Sequence, residues 1–402
     1  MTEEIVGLKS PDLVNKIAPE IKPGKYTYQD MENSPGLKDL FPPEFLLHIK
    51  PGGPPLIGSI PEFEITPTKQ LYWYTKFCMA TKDNLGKTKL DKDGYIVPMS
   101  WQGGVPFPRP SGDFKAQQVY YNFEKRTENF ERCVTLNGES MSFDRNLKMD
   151  KYNQYQANFI RLMGRTLFPP YGFLDKRAER NGEFAAFSSL VFEPRANKGT
   201  VVLQYAYDDP NKLDPSMIYV PSLRRIRKMS STDTQDPLGD MTYDDRSMLT
   251  QKITPKRYPY KFDIIAEREY LIPVNYNDSS VWIDSKNGLC MRDIQFMRRP
   301  CYVLQMTQLD NNYLYSKRFL YVDKENFGCT FAAYYDQKGR LYRSQWYTWT
   351  FMPEVGQTVF WGMPTVQLDH IDEHSTFQMQ LPLPACFTRA DFGIRFLIRK
   401  GK

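Results

Sequence analysis

The chain has 402 residues, 53 lysines and arginines against 47 aspartates and glutamates, and 41% hydrophobic residues, with a mean hydropathy of −0.56. That length holds one large β domain or two ordinary ones with a sizeable core, and no apolar run approaches the roughly 18 residues that cross a bilayer. A net charge of +6, spread along the chain, is too small for nucleic-acid binding, which needs a continuous basic stripe with stacking aromatics; an anionic surface or an acidic partner stays open.

The start, Met1 to Ile5, has no basic segment followed by an apolar one, so no leader is expected there, which by itself points to the cytoplasm. Residues 1–100 read as a collar of short helices and extended pieces. Ser10-Pro11-Asp12 is a helix start, with proline at the first position and an acid in the first turn. A second short helix is expected over residues 44–49, before Pro51-Gly52-Gly53-Pro54-Pro55 stops regular structure. Residues 69–80 suit helix or strand. Asp91-Lys92-Asp93-Gly94 reads as a plain turn, since it lacks the further carboxylates of a calcium loop. Trp101 and Phe107 flank a segment that glycine loosens and proline stiffens. They either line a cavity entrance or carry the chain from collar into sheet. Residues 114–126 are a candidate covering helix.

From Val201 onward alternation takes over. Strands are expected at 201–207, 217–220, 261–272, 281–284, 301–308, 313–322, 329–335, 341–350, 365–371 and 375–381, with Asp/Asn/Gly turns between many of them. Aromatics at 14%, with 26 Tyr and 26 Phe, suit strands with one wet face. The expected fold is mainly β (α+β): a large curled antiparallel sheet, an incomplete β-barrel, with short helices over its concave side. A collar over 1–100 and a half-barrel over 101–402 are the expected units. No βαβ alternation and no fixed-period repeat is present. A half-barrel leaves an apolar cavity, in which Tyr205, Tyr207, Tyr219 and Trp282 are expected to line or rim the space.

The stretch from Tyr205 to Asp245 reads as a β-hairpin with a basic edge, carried by Tyr219 to Lys228. If it is extended, Arg225 and Arg227 share one face, and Arg224 and Lys228 the other. One pair would meet Asp244 or Asp245 across the hairpin. The other would face an anionic head group or acidic partner, or simply protect an edge strand from aggregation. Arg292, Arg298 and Arg299 are expected at the surface. His370 and His374 stand four apart in the wrong order for a zinc-protease helix and read as a solvated turn. With three histidines and no GxSxG elbow, no catalytic residues are expected. Adjacent acids Asp208-Asp209 and Asp244-Asp245 point to opposite strand faces. The six cysteines form no CxxC; their even number permits disulfides that sequence cannot pair. No metal or cofactor is expected.

Several segments recur in the order of a known family. They are Gly104-Val105-Pro106-Phe107-Pro108 (GxPFP), Tyr219 to Arg227 (YxPxxRRxR) and Tyr243-Asp244-Asp245. Arg268 to Pro273, Tyr315 to Arg318 and Tyr334 to Leu341 follow. Over residues 65–350 the chain resembles the proteobacterial family called domain of unknown function 1329, grouped with outer-membrane lipoprotein-sorting proteins of LolA/LolB type. The resemblance implies a periplasmic or outer-membrane-associated protein whose incomplete barrel takes acyl chains, and whose partner is an export permease. It brings no catalytic residues. The chain departs from the family in lacking a leader and a lipid-attachment cysteine near its start, and it is longer than the LolA-type carriers. A carrier for lipid-like cargo is therefore the leading expectation. An interaction module with a solid core and a hydrolase of envelope polymers are the alternatives.

Overall fold

Where the sequence alternates apolar and polar residues, the backbone pairs into long ladders, because a strand with two different faces satisfies its hydrogen bonds only beside another strand. The computed structural model describes residues 1–126, 131–229, 258–274, 282–284, 286, 288–352, 357–359 and 365–400. Sixteen strands among them form one sheet. Its path starts at the edge strand Tyr260–Val274, then runs through Gln295–Gln308, Lys317–Asp323, Cys329–Tyr335, Leu341–Tyr347, Thr365–Asp369 and His374–Met379. There it joins the earlier part of the chain: Arg132–Phe143, Met149–Arg161, Glu183–Glu193, Val201–Tyr207, Ser216–Val220 and Arg225–Met229. The two ends of this path do not pair among the described residues, so the sheet is open.

The mainly β expectation holds, with three corrections. The sheet is mixed, because Glu62–Thr66 runs parallel to residues 295–297. Three long strands precede Val201. Their solvent-touched stretches, such as Lys151-Tyr152-Asn153-Gln154, lack the β-branched residues that announce a strand. Short helices also cover both faces rather than one. Thr75–Asp83 and Lys115–Lys125 pack on the face bearing Tyr302, Leu304 and Leu320. The segment from Ile21 to Ile65, with its short helices, covers the opposite face against Phe296, Val303, Phe331 and Trp346. The first face is called the helix-faced side below. Ser10–Leu13 is helical as expected, Pro43–His48 forms a 3-10 turn, and the ambiguous segment resolves into the helix Thr75–Asp83.

Buried carboxylates hold the collar to the sheet. Glu269 accepts from the backbone N–H groups of Asn15, Lys16 and Ile17 at 2.8, 2.7 and 2.6 Å. Glu44 accepts the hydroxyls of Tyr321 and Tyr335. Arg299, expected at the surface, is fully buried: its Nε donates to Asp323 at 2.5 Å and an NH2 group to Glu325 at 2.7 Å. Glu325 also accepts from Ser10 Oγ and Leu71 N. Arg298 is likewise buried, donating to the carbonyls of Ile17, Ala18 and Ile21. Paired charges and carbonyl acceptors satisfy the guanidiniums that composition alone sends outward. Arg292 alone of the three keeps partial exposure, paired with Asp284 and Glu62.

His370 opens the turn expected there, but its half-buried imidazole is engaged with the sheet. Its Nε2 lies 2.8 Å from Ser344 Oγ, which is 3.4 Å from His48 Nε2, and His48 Nδ1 accepts from the Trp346 indole at 3.1 Å. That indole bond fixes His48 with its proton on Nε2. Burial pushes His370 down to about 4 and His48 well below the usual imidazole range, helped by Lys50. His374 begins the strand after the turn and contacts Asp150. Asp91 Oδ1 accepts from the N–H groups of Asp93 and Tyr95, which makes the plain turn expected. All six cysteines are free thiols, five of them buried. Among the described residues no helix is long and apolar enough to cross a membrane.

Candidate functional site

The helix-faced side divides into three zones, and residues directly opposite on paired strands trace them across the sheet. The first zone lies under the two covering helices. Tyr120, Tyr121 and Phe123 of Lys115–Lys125 pack there with Leu304, Leu320, Tyr334 and Trp349. The segment carrying Trp101 and Phe107 clasps these helices together. Trp101 Nε1 donates to Gly104 O, Thr81 Oγ1 accepts from Val105 N, and Asn122 exchanges two hydrogen bonds with Phe107. Gly104 has φ +76°, and a Cβ there would come within 2.5 Å of the Thr81 backbone; one on Gly164 would come within 2.1 Å of the Trp101 ring. Only glycine fits at either place. Of the two roles open for this segment in the sequence, the geometry observed is the structural one.

At the far end of the helix Lys115–Lys125, Lys125 is buried with its Nζ 2.8 Å from Asp208 Oδ1 and 4.2 Å from the centre of the Phe184 ring. Burial pulls the Lys125 pKa down, but Asp208 and Glu124 hold it above the usual lysine range. The helix thus ties the 260–347 half of the sheet, through Tyr120 and Phe262, to the 149–207 half.

The second zone is a buried polar band. Gln345 lies opposite Gln367, which lies opposite Thr376, which lies opposite Ser142. All four are at most 3% exposed. Ser142 and Thr376 hydroxyls meet at 2.9 Å, and Gln367 Nε2 reaches Gln378 Oε1 at 3.5 Å. Gln345 Nε2 has no hydrogen-bond partner.

The third zone is open. Ala157, Ser189, Val202, Ile218 and Arg227 form one row across five strands. Beside it Tyr155 lies opposite Val191, and Val220 opposite Arg225. Apart from buried Ala157 and the two exposed arginines, these side chains are half-buried. The opposite face of the same strands is closed: Ile160, Ala186, Val201, Leu203, Tyr205 and Tyr219 pack there against Phe392.

The expected lining residues therefore do not converge. Tyr205 and Tyr219 belong to that closed face, with the Tyr205 hydroxyl donating to Phe392 O at 2.6 Å, and Tyr207 is half-buried under Lys212, whose Nζ sits 3.5 Å from the ring centre. Trp101 and Phe107 lie on the helix-faced side. One tyrosine in each strand was visible to sequence reasoning; which of two alternating faces it took was not. Val202, Ile218 and Val220, passed over in the sequence, occupy the open face instead. Their signal was present as the second phase of the same alternation.

A basic hairpin does form in this stretch, but it turns within the expected strand, at Pro221–Leu223, and pairs Ser216–Val220 antiparallel to Arg225–Met229. Arg224 departs from the extended reading: it closes the 3-10 turn Pro221–Leu223 at φ 49°, so it belongs to the turn and not to a strand face. Arg225 and Arg227 share a face as expected. Asp244, Asp245 and the Trp282 side chain lie outside the described residues.

No curated protein matches the chain. Among solved structures, a domain from Vibrio parahaemolyticus named for outer-membrane lipoprotein sorting is similar at 15% identity and a TM-score of 0.47, covering 70% of this chain and 97% of that one. A DUF1329 family protein from Desulfovibrio piger is similar at 13% identity and a TM-score of 0.46, with 69% and 96% covered. A LolA superfamily protein from Nitrosomonas europaea gives 14%, 0.42, and 70% and 98%. The family model DUF1329, described as a protein of unknown function, matches residues 48–382, and the chain belongs to that family.

Proposed function

We propose that this protein is a non-catalytic carrier or accessory factor for lipid-like apolar cargo in the bacterial envelope, periplasmic or outer-membrane-associated, with an export permease or outer-membrane protein as its partner. The observation that carries the reading is the open zone: the half-buried Val191, Val202, Ile218 and Val220 share one face of three adjacent strands, while the other face of those strands is closed. Apolar side chains left half-exposed in this way suit a guest. Each methylene of an acyl chain withdrawn from water contributes about 0.8 kcal/mol, enough for a chain to bind without covalent chemistry. The test is to purify the protein, extract it with organic solvent and identify what is released by mass spectrometry. A stoichiometric amphiphile is expected. Protein that carries no lipid and takes up no fluorescent apolar probe after delipidation would overturn the reading.

A second reading, an interaction module of an envelope complex, is favoured by the exposed cations of the hairpin, Arg225, Arg227 and Lys228. Charge reversal at Arg225 and Arg227 separates the two. Loss of a partner complex with unchanged lipid content supports the module.

A further inference from the structure

The row of directly opposed residues does not end in another apolar side chain. Ile218 lies opposite Arg227, and Val220 opposite Arg225, so both guanidiniums rise from the same sheet face as Val202 and Val191. Both arginines are exposed, and among the described residues neither is engaged in an ion pair or hydrogen bond. The other charges of the hairpin do not share this face: Arg224 is in the turn, and Lys228 lies opposite Met217 and Leu203 on the closed side. From Ala157 to Ile218 the row crosses four strands, about 14 Å at about 4.8 Å spacing, before it reaches Arg227 on the fifth. One end abuts the covered zone, where Arg161, on the same strand as Ala157, stacks on Phe184. The other end is two cations that have no ion pair among the described residues.

An edge-protecting charge needs no such alignment; any exposed lysine on either face would serve. Two arginines with a shared face and a registered apolar row present a planar, multidentate anion site at the head of a hydrophobic track. Resting on the carrier reading above, we propose that the third zone binds a single anionic amphiphile, its phosphate or carboxylate head on Arg225 and Arg227 and its apolar body along Ile218, Val202 and Val191. The proposal commits to an amphiphile monomer over a bilayer surface because the cations continue one face of the sheet and do not cluster at the hairpin tip alone.

The test uses delipidated full-length protein and two short-chain lipids kept below their micelle concentrations, dihexanoyl-phosphatidylglycerol and dihexanoyl-phosphatidylcholine, titrated by calorimetry. The wild type is expected to bind the anionic lipid at least ten-fold more tightly than the zwitterionic one. The double variant Arg225→Gln/Arg227→Gln is expected to lose that preference while keeping its weak binding of phosphatidylcholine. Ile218→Asp is expected to weaken both lipids. Glycerol phosphate, the head group without chains, is expected not to compete at equal concentration. Equal affinity for both lipids in wild type and double variant would overturn the head-group assignment and leave the carrier reading standing. Binding of neither lipid by the wild type overturns both. Competition by glycerol phosphate, or binding to phosphatidylglycerol vesicles with none to monomers, would overturn the single-amphiphile site in favour of a free anion or a membrane surface.

Discussion

The two halves of the sheet are built from the same kind of strand and end in opposite conditions. The strands Gln295–Gln308, Lys317–Asp323, Cys329–Tyr335 and Leu341–Tyr347 are buried on both faces almost without interruption. In Met149–Arg161, Glu183–Glu193 and Val201–Tyr207 half-buried positions recur, and in Val201–Tyr207 they alternate with buried ones. The difference lies in what covers them. The first half has helices on one side and the Ile21–Ile65 segment on the other, while among the described residues the second is covered on one face and only in part on the other. A sheet closed on both faces is a scaffold, and one open on a single face is where a ligand finds surface.

The comparison breaks most visibly at Arg299. Arg299→Met leaves Asp323 and Glu325 buried without their cation, and a loss of about 4 kcal/mol is expected in denaturant unfolding; a loss under 1 kcal/mol would mean that this half is not organised around the pair. Acid comes next. The unfolded chain protonates its histidines near pH 6.5, while burial keeps His370 neutral in the fold until about 4 and holds His48 well below its usual range. Their contribution is fully present above pH 6.5 and is lost as pH falls from there toward 4, by about 3 kcal/mol for His370 alone. Unfolding curves across that range check it, and His370→Gln is expected to flatten the slope.

Glu269→Gln weakens the anchor of residues 15–17 and is expected to cost about 2 kcal/mol. Limited proteolysis should then cut first in the collar. In the open half the effects shrink. Ile218→Ala removes a half-buried side chain, and about 1 kcal/mol is expected from thermal unfolding. Arg225→Gln is expected to stay within about 0.5 kcal/mol of wild type. A large loss at either open-half position would show that this face is a packed core, contrary to the contrast drawn here.

Much of the fold was legible in the residues. The strands Val201–Tyr207 and Cys329–Tyr335 stand where their alternation puts them, while the turn at Pro221–Leu223 breaks a run that reads as one basic strand. The helix Lys115–Lys125 was visible as a candidate cover. Arg298 and Arg299 were not legible as buried, because their partners Glu269, Asp323 and Glu325 lie 24 to 29 residues away along the chain. Burial of a charge depends on what meets it, and propensity carries no such information.

The sequence by itself determined that this is a β protein with aromatic strands, a basic hairpin and a family signature, because period-two alternation and turn residues act over a few neighbours. Only the tertiary structure decided which phase of each alternation faces inward. A shift of one residue sends Tyr205 and Tyr219 under the C-terminal segment and Val202 and Ile218 to the open side, and that choice is made by the elements that pack on the sheet from elsewhere in the chain.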